Sequence, residues 1–360
     1  MFYIKEIKVF AMLIINSRFL TQDITGVQRF AIEISKQLKN FLGKKVQFVS
    51  PKNVVHSELA EELDVKIVGK KTGHLWEQID LPKYLQQNGT SLLLNLANTA
   101  PLFYKNKIVT VHDIAYERFP QTFDWKFRLY YKLLMPNIIK TSKYTLTVSE
   151  FSKNEIHQFY GTSLNNIDVV YNAVNEIFEP KKIKINERYI LAVSSLNYQK
   201  NFHSLVKAFN LLYDNNIKLY LVGGINKNFA PTELLSEIEK NKNIVFKGRV
   251  SDEKLVELYS NAVCFVYPSL YEGFGIPPLE AQACGCPVIV SNVASLPEVC
   301  GDSALYCNPY DIKDIKNKIE ILINNKKLQE ELRKKGFENV KRFSWKKSAK
   351  KIIKIIEDLK

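Results

Sequence analysis

Several patterns that would assign the chain to a definite class are missing from its 360 residues. No C-x-x-C pair occurs and the five cysteines are odd in number, so neither a disulfide framework nor a zinc site is expected. No D-x-D triplet occurs, so the sequence does not imply a bound divalent metal. No apolar run approaches the roughly 18 residues of a membrane-spanning helix. We therefore expect buried cysteines, no cofactor or metal, and a cytoplasmic protein.

The beginning of the chain also lacks the marks of a secretory signal. Residues 1–11 are basic and apolar, but no small-residue cleavage site follows them. A natural first strand begins at Met12, in "MLIINSRF". Residues 1–11 are therefore candidates for an added or mis-assigned start.

Positive charge, by contrast, is abundant, and the formal net charge is +14. Such a charge predicts an anionic partner, and nucleic acid, nucleotide phosphates and an anionic membrane surface all qualify. Lysine outnumbers arginine and is spread along the chain, whereas a nucleic-acid interface groups basic and aromatic residues on one element. We therefore expect no nucleic acid partner. A solvated basic surface without any partner would explain the charge equally well.

Short apolar runs typical of buried parallel strands recur along the chain and alternate with helical patterns. In the first half the helical patterns cover residues 26–42, 74–88 and 123–140. A polar, charged stretch at residues 175–187 is typical of a linker, and the alternation restarts after it. The sequence therefore predicts an α/β protein with two doubly wound halves, which bind a ligand beyond the carboxyl ends of their strands.

The stretch "YEGFGIPPLEA" at residues 271–281 places Glu272 and Glu280 on either side of a Gly-rich turn that leads into a helix. Unpaired N–H groups and the positive dipole end at such a turn favour a phosphate, and glycines let the backbone approach it closely. A carboxylate would repel that phosphate, so each glutamate is better suited to accept hydrogen bonds from sugar hydroxyls. The stretch predicts a sugar-nucleotide site, although two ordinary first-turn acids would show the same spacing.

The longer stretch "YPSLYEGFGIPPLEAQACGCPVIVSNVASLPEVCGDSALYCNPYD" resembles the E-x7-E region of family 4 glycosyltransferases, which are retaining enzymes of the GT-B fold. The resemblance continues in "SSLNYQKNF", "FKGRVSDEKLVELYSNA", "TVHDIAYERFP" and "TGVQRFAIEI". It implies two Rossmann-like domains that face a central cleft. Residues 1–175 plus 345–360 would form the acceptor-side domain, and residues 176–344 the nucleotide-sugar-binding domain.

The resemblance also implies roles for residues around the glycine turn. Glu272 would accept from hydroxyls of the donor sugar, and Glu280 would hold the ribose hydroxyls. Gly273 and the backbone N–H groups of Phe274, Gly275 and Ile276 would form the cradle of the distal phosphate.

Further roles follow from the other matching motifs. Lys200 would neutralise the departing diphosphate, and Ser195 stands where the family often has a second basic residue. Arg249 and Leu255 would frame the base. Gly26 belongs to a loop where donor and acceptor approach each other. His112 would lie near the donor sugar, in a role of orientation or charge stabilisation.

The activity implied by the resemblance is metal-independent transfer of a sugar, with retention, from a nucleotide-diphosphate donor. A mannose-like hexose or deoxyhexose, and a glycan or lipid-linked oligosaccharide acceptor of bacterial surface polysaccharide, are expected. The basic, aromatic segment 123–144 and the amphipathic C-terminal helix suggest peripheral contact with the inner face of the cytoplasmic membrane. Packing of both segments on the protein is the alternative. A GT-B sugar-nucleotide epimerase and a basic nucleic-acid-binding protein are the rival functions.

Overall fold

The structure, a computed structural model, describes residues 12–181, 187–212, 214, 216–224 and 232–359. Residues 1–11, which the sequence makes candidates for an added or mis-assigned start, lie outside the described residues. Residues 182–186 of the predicted linker also lie outside them. Contact clustering divides the chain into two compact units. The first unit contains residues 12–114, 125–172 and 345–359, and the second contains residues 115–124 and the described part of 173–344.

All strands of the described chain are parallel to their neighbours. They are β1 (Leu13–Asn16), β2 (Val46–Ser50), β3 (Lys66–Ile67), β4 (Leu93–Asn95), β5 (Lys107–Thr110), β6 (Tyr144–Thr147), β7 (Ile167–Val169), β8 (Tyr189–Val193), β9 (Lys218–Val222), β10 (Ile244–Gly248), β11 (Cys264–Tyr267), β12 (Val288–Ser291) and β13 (Leu305–Cys307).

Helices connect most of these strands, as the parallel pairing requires. They are α1 (Gly26–Leu42), α2 (Ser57–Glu62), α3 (Gly73–Leu75), α4 (Leu81–Gln87), α5 (Ala115–Arg118), α6 (Trp125–Thr141), α7 (Glu150–Tyr160), α8 (Phe202–Asn210), α9 (Thr232–Lys240), α10 (Asp252–Asn261), α11 (Ile276–Ala283), α12 (Leu296–Cys300), α13 (Ile312–Ile323), α14 (Lys326–Val340) and α15 (Trp345–Asp358). A π-helix, Trp76–Asp80, joins α3 to α4.

The first unit contains a sheet in the order β3-β2-β1-β4-β5-β6-β7. The second contains a sheet in the order β10-β9-β8-β11-β12-β13. Both sheets are doubly wound, which confirms the predicted fold class. The strand order reverses between β1 and β4 in the first sheet and between β8 and β11 in the second. Such switch points open a crevice beyond the carboxyl ends of the strands, where ligands of this architecture bind.

Each sheet is covered by apolar side chains of its own helices. In the first unit, Trp76 and Leu81 are fully buried against Ile14 and Leu93 of the sheet. The second unit has a larger core, in which Leu205 of α8 and Ile319 of α13 lie among the strands. The edge strand β3 is only two residues long, and both of them are exposed.

The cysteines behave as small core residues. All five are buried and unpaired, which confirms the sequence-based expectation. Burial raises the pKa of Cys264 and of Cys300 to about 12, so neither thiol supplies a thiolate near neutral pH.

The C-terminal helix α15 belongs to the first unit and lies against α1. The indole of Trp345 contacts the ring of Phe30 edge to face, with ring centroids 6.0 Å apart. Ile352, Ile355 and Ile356 are buried in this contact, whereas Ile353 is only half-buried.

Candidate active site

The switch point of the second sheet brings together two of the predicted residues. Lys200 follows β8 in a short 3-10 turn, and Glu272 follows β11 in the glycine turn. The Nζ atom of Lys200 lies 2.7 Å from Oε1 of Glu272. The Lys200 and Glu272 side chains are 15% and 10% exposed, so the pair is largely shielded from water. The structure thus places a cation and a carboxylate where this architecture binds ligands.

Hydrogen bonds fix the carboxylate of Glu272. The hydroxyl of Ser269 donates to Oε1 over 2.6 Å, alongside the Lys200 ammonium. The hydroxyl of Ser295 donates to the carbonyls of Glu272 and Phe274 over 3.0 and 2.9 Å. Because side chain and backbone are both held, the carboxylate has little rotational freedom left to lose when it binds a ligand.

A tyrosine lies beneath the ion pair. Tyr267, the last residue of β11, is 2% exposed, and its ring centroid is 6.0 Å from the Lys200 Nζ. Burial, followed by the nearby charge of Glu272, raises the pKa of Tyr267 well above its usual value. Tyr267 therefore stays a neutral hydroxyl and adds no second negative charge to the site.

The position of Lys200 depends on the residue that follows it. Asn201 is the N-cap of α8 and has a left-handed backbone conformation, with φ of 60°. Its buried side-chain amide donates to the carbonyls of Pro268 and Pro309 over 2.9 and 2.7 Å. An asparagine tolerates this conformation better than most residues. Asn201 thus holds the Lys200 turn against the end of β11, a role that no local sequence pattern indicates.

The glycine turn ends in the helix start that the sequence predicts. Gly275 is the N-cap of α11 with φ of +92°, a conformation that favours glycine. An added Cβ there would also lie 2.6 Å from Cδ2 of Leu296. Pro277 and Pro278 remove two of the donors of the first turn, because proline has no N–H. The N–H groups of Gly275 and Ile276 remain at the positive end of the helix dipole, which suits an anionic ligand.

Glu280 lies one turn into α11 and is 6% exposed. The hydroxyl of Tyr259, which is fully buried on α10, donates to its Oε2 atom over 3.3 Å. Burial and the charge of Glu280 raise the pKa of Tyr259 well above its usual value, so the phenol keeps the proton it donates. Tyr259 therefore orients the carboxylate of Glu280. No sequence pattern indicates that these two residues are partners.

The carboxyl ends of β8 and β9 approach each other closely. A Cβ at Gly223 would lie 1.8 Å from the carbonyl oxygen of Ser194, so only glycine fits. A Cβ at Gly224 would lie 2.9 Å from Nε of Arg249, which places the exposed Arg249 side chain over this edge. Ser195 is also exposed there and accepts a 3.3 Å hydrogen bond from the amide of Asn197. Leu255, by contrast, is buried on α10.

His112 and Gly26 belong to the first unit. His112 follows β5 and is 6% exposed, and its Nε2 atom lies 3.0 Å from the carbonyl oxygen of Leu96. Burial lowers the pKa of His112 to about 4 despite that hydrogen bond. At neutral pH the imidazole is therefore uncharged and donates from Nε2, which leaves Nδ1 as an acceptor.

Gly26 is the first residue of α1, where Thr25 and Gln28 form a capping box. Phe30, one turn further along α1, contacts the ring of His112 at right angles with centroids 5.0 Å apart. The helix start and the histidine are thus connected through one aromatic contact.

Comparisons with known proteins identify the family of the chain. The model of the family described as glycosyl transferases group 1 matches residues 174–339, and that of Glycosyltransferase Family 4 matches residues 24–176. The O-antigen chain mannosyltransferase RfbU of Salmonella typhimurium is 31% identical over 327 residues, which cover 86% of this chain and 90% of that protein.

Solved structures show the same fold. HepE of Anabaena in complex with UDP-glucose aligns with a TM-score of 0.78 at 16% identity, over 96% of this chain and 99% of that one. WaaG, a glycosyltransferase involved in lipopolysaccharide biosynthesis, aligns with a TM-score of 0.72 at 16% identity, over 96% and 99% of the two chains. The comparisons give no support to an epimerase or a nucleic-acid-binding protein. The chain belongs to glycosyltransferase family 4 and is a glycosyltransferase of the GT-B fold.

Proposed function

We propose that the protein transfers a mannose-like hexose or deoxyhexose, with retention of configuration, from a nucleoside diphosphate sugar to a glycan or lipid-linked acceptor. The observation that carries the proposal is the pairing of Lys200 with Glu272 at 2.7 Å beside the first turn of α11. This arrangement offers a cation and helix N–H groups to a diphosphate, and a fixed carboxylate to sugar hydroxyls. The mannose preference comes from RfbU, an O-antigen mannosyltransferase, and the product would be a bacterial surface polysaccharide.

In the proposed reaction the bond between the anomeric carbon and the diphosphate oxygen breaks as the acceptor oxygen bonds to the same face of that carbon. The leaving phosphate oxygen takes the acceptor's hydroxyl proton, so no protein base is needed. Negative charge grows on the diphosphate as it departs. The Lys200 ammonium and the N–H groups of Gly275 and Ile276 would stabilise that charge more strongly than the ground state.

His112 would orient the donor sugar and would not carry charge. Its pKa, which burial lowers to about 4, keeps the imidazole neutral at physiological pH. With Nε2 held by Leu96, the Nδ1 atom would accept a hydrogen bond from a sugar hydroxyl. Of the two roles that the resemblance implies for His112, we therefore propose orientation of the donor sugar.

We further propose that catalysis needs no metal, since Lys200 and the start of α11 supply positive charge to the diphosphate. Transfer should persist in excess EDTA and should fall at least tenfold in Lys200→Met. Loss of activity in EDTA, restored by manganese or magnesium, would show that a metal neutralises the leaving group.

The acceptor side of the proposal includes contact with a membrane. In the part of the chain that the structure describes, no helix is both long and apolar enough to cross a bilayer. Helix α6 nevertheless exposes Trp125, Leu129 and Leu133, whose exposed fractions are 63%, 53% and 66%. Lys126, Arg128, Lys132 and Lys140 are also on this helix. We propose that α6 rests on the anionic inner face of the cytoplasmic membrane, where a lipid-linked acceptor would be presented.

A panel of nucleoside diphosphate sugars tests the donor. The panel should contain mannose, glucose, N-acetylglucosamine and rhamnose donors, each at several concentrations. We expect the mannose donor to raise the melting temperature most and to be hydrolysed slowly without an acceptor. If no member of the panel stabilises the protein or is hydrolysed, the proposed donor class is wrong.

A further inference from the structure

The switch point of the first sheet contains a buried polar cluster that none of the roles above uses. Asn16 and Asn95 are register partners at the ends of β1 and β4, and the Asn16 amide donates to the Asn95 side chain over 3.0 Å. The same amide donates to Oε1 of Glu77 over 2.9 Å. The guanidinium of Arg18 lies 3.3 Å from that carboxylate oxygen through Nε and donates to Thr99 over 2.7 Å through Nη2. The cluster thus occupies the position in which this architecture binds ligands.

The π-helix at Trp76–Asp80 places the side chain of Glu77 in this cluster. Consecutive residues of its wide turn point to different surroundings. Trp76 is fully buried and donates from Nε1 to the carbonyl of Val68 over 2.6 Å. Glu77, 1% exposed, faces the cluster, and Gln78 holds the loop after β4 by hydrogen bonds to Ala100 and Leu102. Such π-turns are common at functional sites.

Some donors and acceptors of the cluster have no partner among the residues that the structure describes. Among the described residues, no acceptor faces Nη1 of Arg18, and Nε2 of His74 has no hydrogen-bond partner. The Nδ1 atom of His74 lies 3.4 Å from Oε2 of Glu77. The ring of Tyr130, on α6, lies against His74 with centroids 4.9 Å apart, and no described residue bonds its hydroxyl. The His74 side chain is 40% exposed and Tyr130 is half-buried, so their unused polar atoms are accessible to a ligand.

The charge of the cluster indicates the kind of ligand. The charges of Arg18 and Glu77 cancel each other. Burial alone would raise the pKa of the Glu77 carboxyl, but the Arg18 charge and the hydrogen bonds from His74 and Thr99 outweigh it and lower that pKa, so the carboxyl stays ionised. A phosphate would therefore meet no net positive charge here. The unused guanidinium N–H, imidazole nitrogen and phenol hydroxyl match the alternating donors and acceptors of a sugar, and the Tyr130 ring offers an apolar face to its C–H groups.

We propose that Arg18, His74, Glu77 and Tyr130 form a binding site for a neutral sugar ring of the acceptor glycan. The proposal rests on the proposed glycosyltransferase reaction for its biological use. Arg18 and Tyr130 contact the sugar hydroxyls, His74 contacts a neighbouring hydroxyl, and Glu77 orients Arg18 and His74 from beneath. The loop after β4 is held by Arg18 through Thr99 and by Gln78 through Ala100 and Leu102, so the site is already assembled in the unliganded protein.

Saturation-transfer NMR with methyl α-D-mannopyranoside at millimolar concentration tests the site without needing the natural acceptor. The wild-type protein should saturate the ring protons of the sugar. The double variant His74→Gln/Tyr130→Phe should reduce that saturation at least fivefold, because both side chains are partly exposed and their removal leaves the buried Arg18–Glu77 pair intact. Tyr160→Phe on α7 is the matched control and should behave as the wild type.

The outcomes separate this site from the donor site. No saturation in the wild type, or undiminished saturation in the double variant, would overturn the site. Displacement of the sugar by inorganic phosphate would also overturn it, in favour of an anion site. Thermal shifts by nucleoside diphosphate sugars should be equal in wild type and double variant. If those shifts are absent from both while the mannoside result holds, the donor proposal fails and the sugar site stands.

Discussion

At the residue scale, the carboxylate of Glu272 combines burial, charge and fixed geometry. It is 8% exposed, accepts from Lys200 over 2.7 Å and from Ser269 over 2.6 Å. A carboxylate accepts hydrogen bonds about twice as strongly as a neutral group does. In the transition state the sugar ring carries positive charge and its hydroxyls are more acidic. Hydrogen bonds from those hydroxyls to Glu272 should therefore be stronger in the transition state than in the ground state.

We expect Glu272→Gln to lower turnover by about two orders of magnitude or more while the fold survives. The amide oxygen of glutamine still accepts from Lys200 and Ser269, so the loss of stability should be small. Glu331→Gln on α14, an exposed partner of Lys335, is the matched control and should leave turnover unchanged. Initial rates at saturating donor and circular dichroism check the pair. Near-normal turnover of Glu272→Gln would remove the carboxylate from the mechanism.

His112 gives a prediction on pH. Burial lowers its pKa to about 4, whereas an unfolded histidine titrates near 6.5. The unfolded state therefore binds an extra proton between these values. The contribution of the neutral imidazole to the free energy of unfolding is fully present above pH 6.5. It is lost as the pH falls towards 4, and the loss is at most about 3 kcal/mol.

Urea unfolding at pH 7 and pH 4.5 measures this contribution. Wild type should lose more free energy of unfolding on acidification than His112→Gln, whose amide can still donate to Leu96 but takes up no proton. Other titrating groups affect both proteins alike, so the difference isolates His112. An equal loss in both proteins would mean that the buried histidine is not held neutral.

The sequence predicted individual site residues only where a local pattern encodes them. Lys200 and Glu272 each lie in a short motif after a strand, and the structure brings them together. Glu77 had no such signal, because its partner Arg18 is 59 residues away and a π-turn has no distinctive composition. Tyr259 was missed for the same reason, since nothing in its own helix shows that it faces Glu280.

At the element scale, local periodicity was a better guide. The helical pattern at residues 26–42 coincides with α1, and the pattern at 123–140 corresponds to α6 at Trp125–Thr141. The pattern at 74–88 has the right extent but divides into α3, the π-turn and α4. Apolar spacing is nearly the same for π and α turns over one turn, so the wide turn at Trp76–Asp80 could not be predicted.

The helix α15 gives the prediction at this scale. Ile352 is fully buried, and Ser348 donates to the carbonyl of Tyr171 over 2.6 Å. Each buried isoleucine contributes about 1.5–3 kcal/mol. A truncation that ends at Phe343 should therefore melt several degrees lower in the absence of lipid. It keeps the contact of Phe343 with Phe274, so the loss would come from the helix itself.

Point variants separate packing from charge on α15. Ile352→Ala should cost about 2–5 kcal/mol of unfolding free energy. Lys354→Ala, on the exposed face of the same helix, should cost almost nothing. Equal melting temperatures of full-length and truncated protein, together with loss of vesicle binding alone, would identify the helix as a membrane anchor instead.

At the scale of the whole molecule, the net charge of +14 and the exposed apolar residues of α6 both favour binding to an anionic membrane. The opposite face of α6 is buried through Leu134, Met135 and Ile138, so the helix is already packed on its unit. Trp125, Leu129 and Leu133 follow one another at four-residue spacing and form a second apolar face that remains exposed. Tyr130 of the proposed sugar site lies on the same helix, which would bring that site close to lipid-linked glycans.

Vesicle flotation measures whether charge and apolar contact combine in this way. Binding to vesicles of phosphatidylglycerol and phosphatidylcholine should exceed binding to phosphatidylcholine alone, because each basic residue near an anionic surface contributes about 1 kcal/mol. Binding should fall several-fold between low and physiological salt as the charges are screened.

The variant Leu129→Ser/Leu133→Ser tests the apolar contact. It should weaken binding at both salt concentrations, since salt does not screen the apolar contribution. Ile321→Ser, an exposed isoleucine of α13, is the matched control and should bind as the wild type. Salt-sensitive binding that is indifferent to the double variant would mean that the basic surface alone holds the protein at the membrane, and α6 would lose its proposed role.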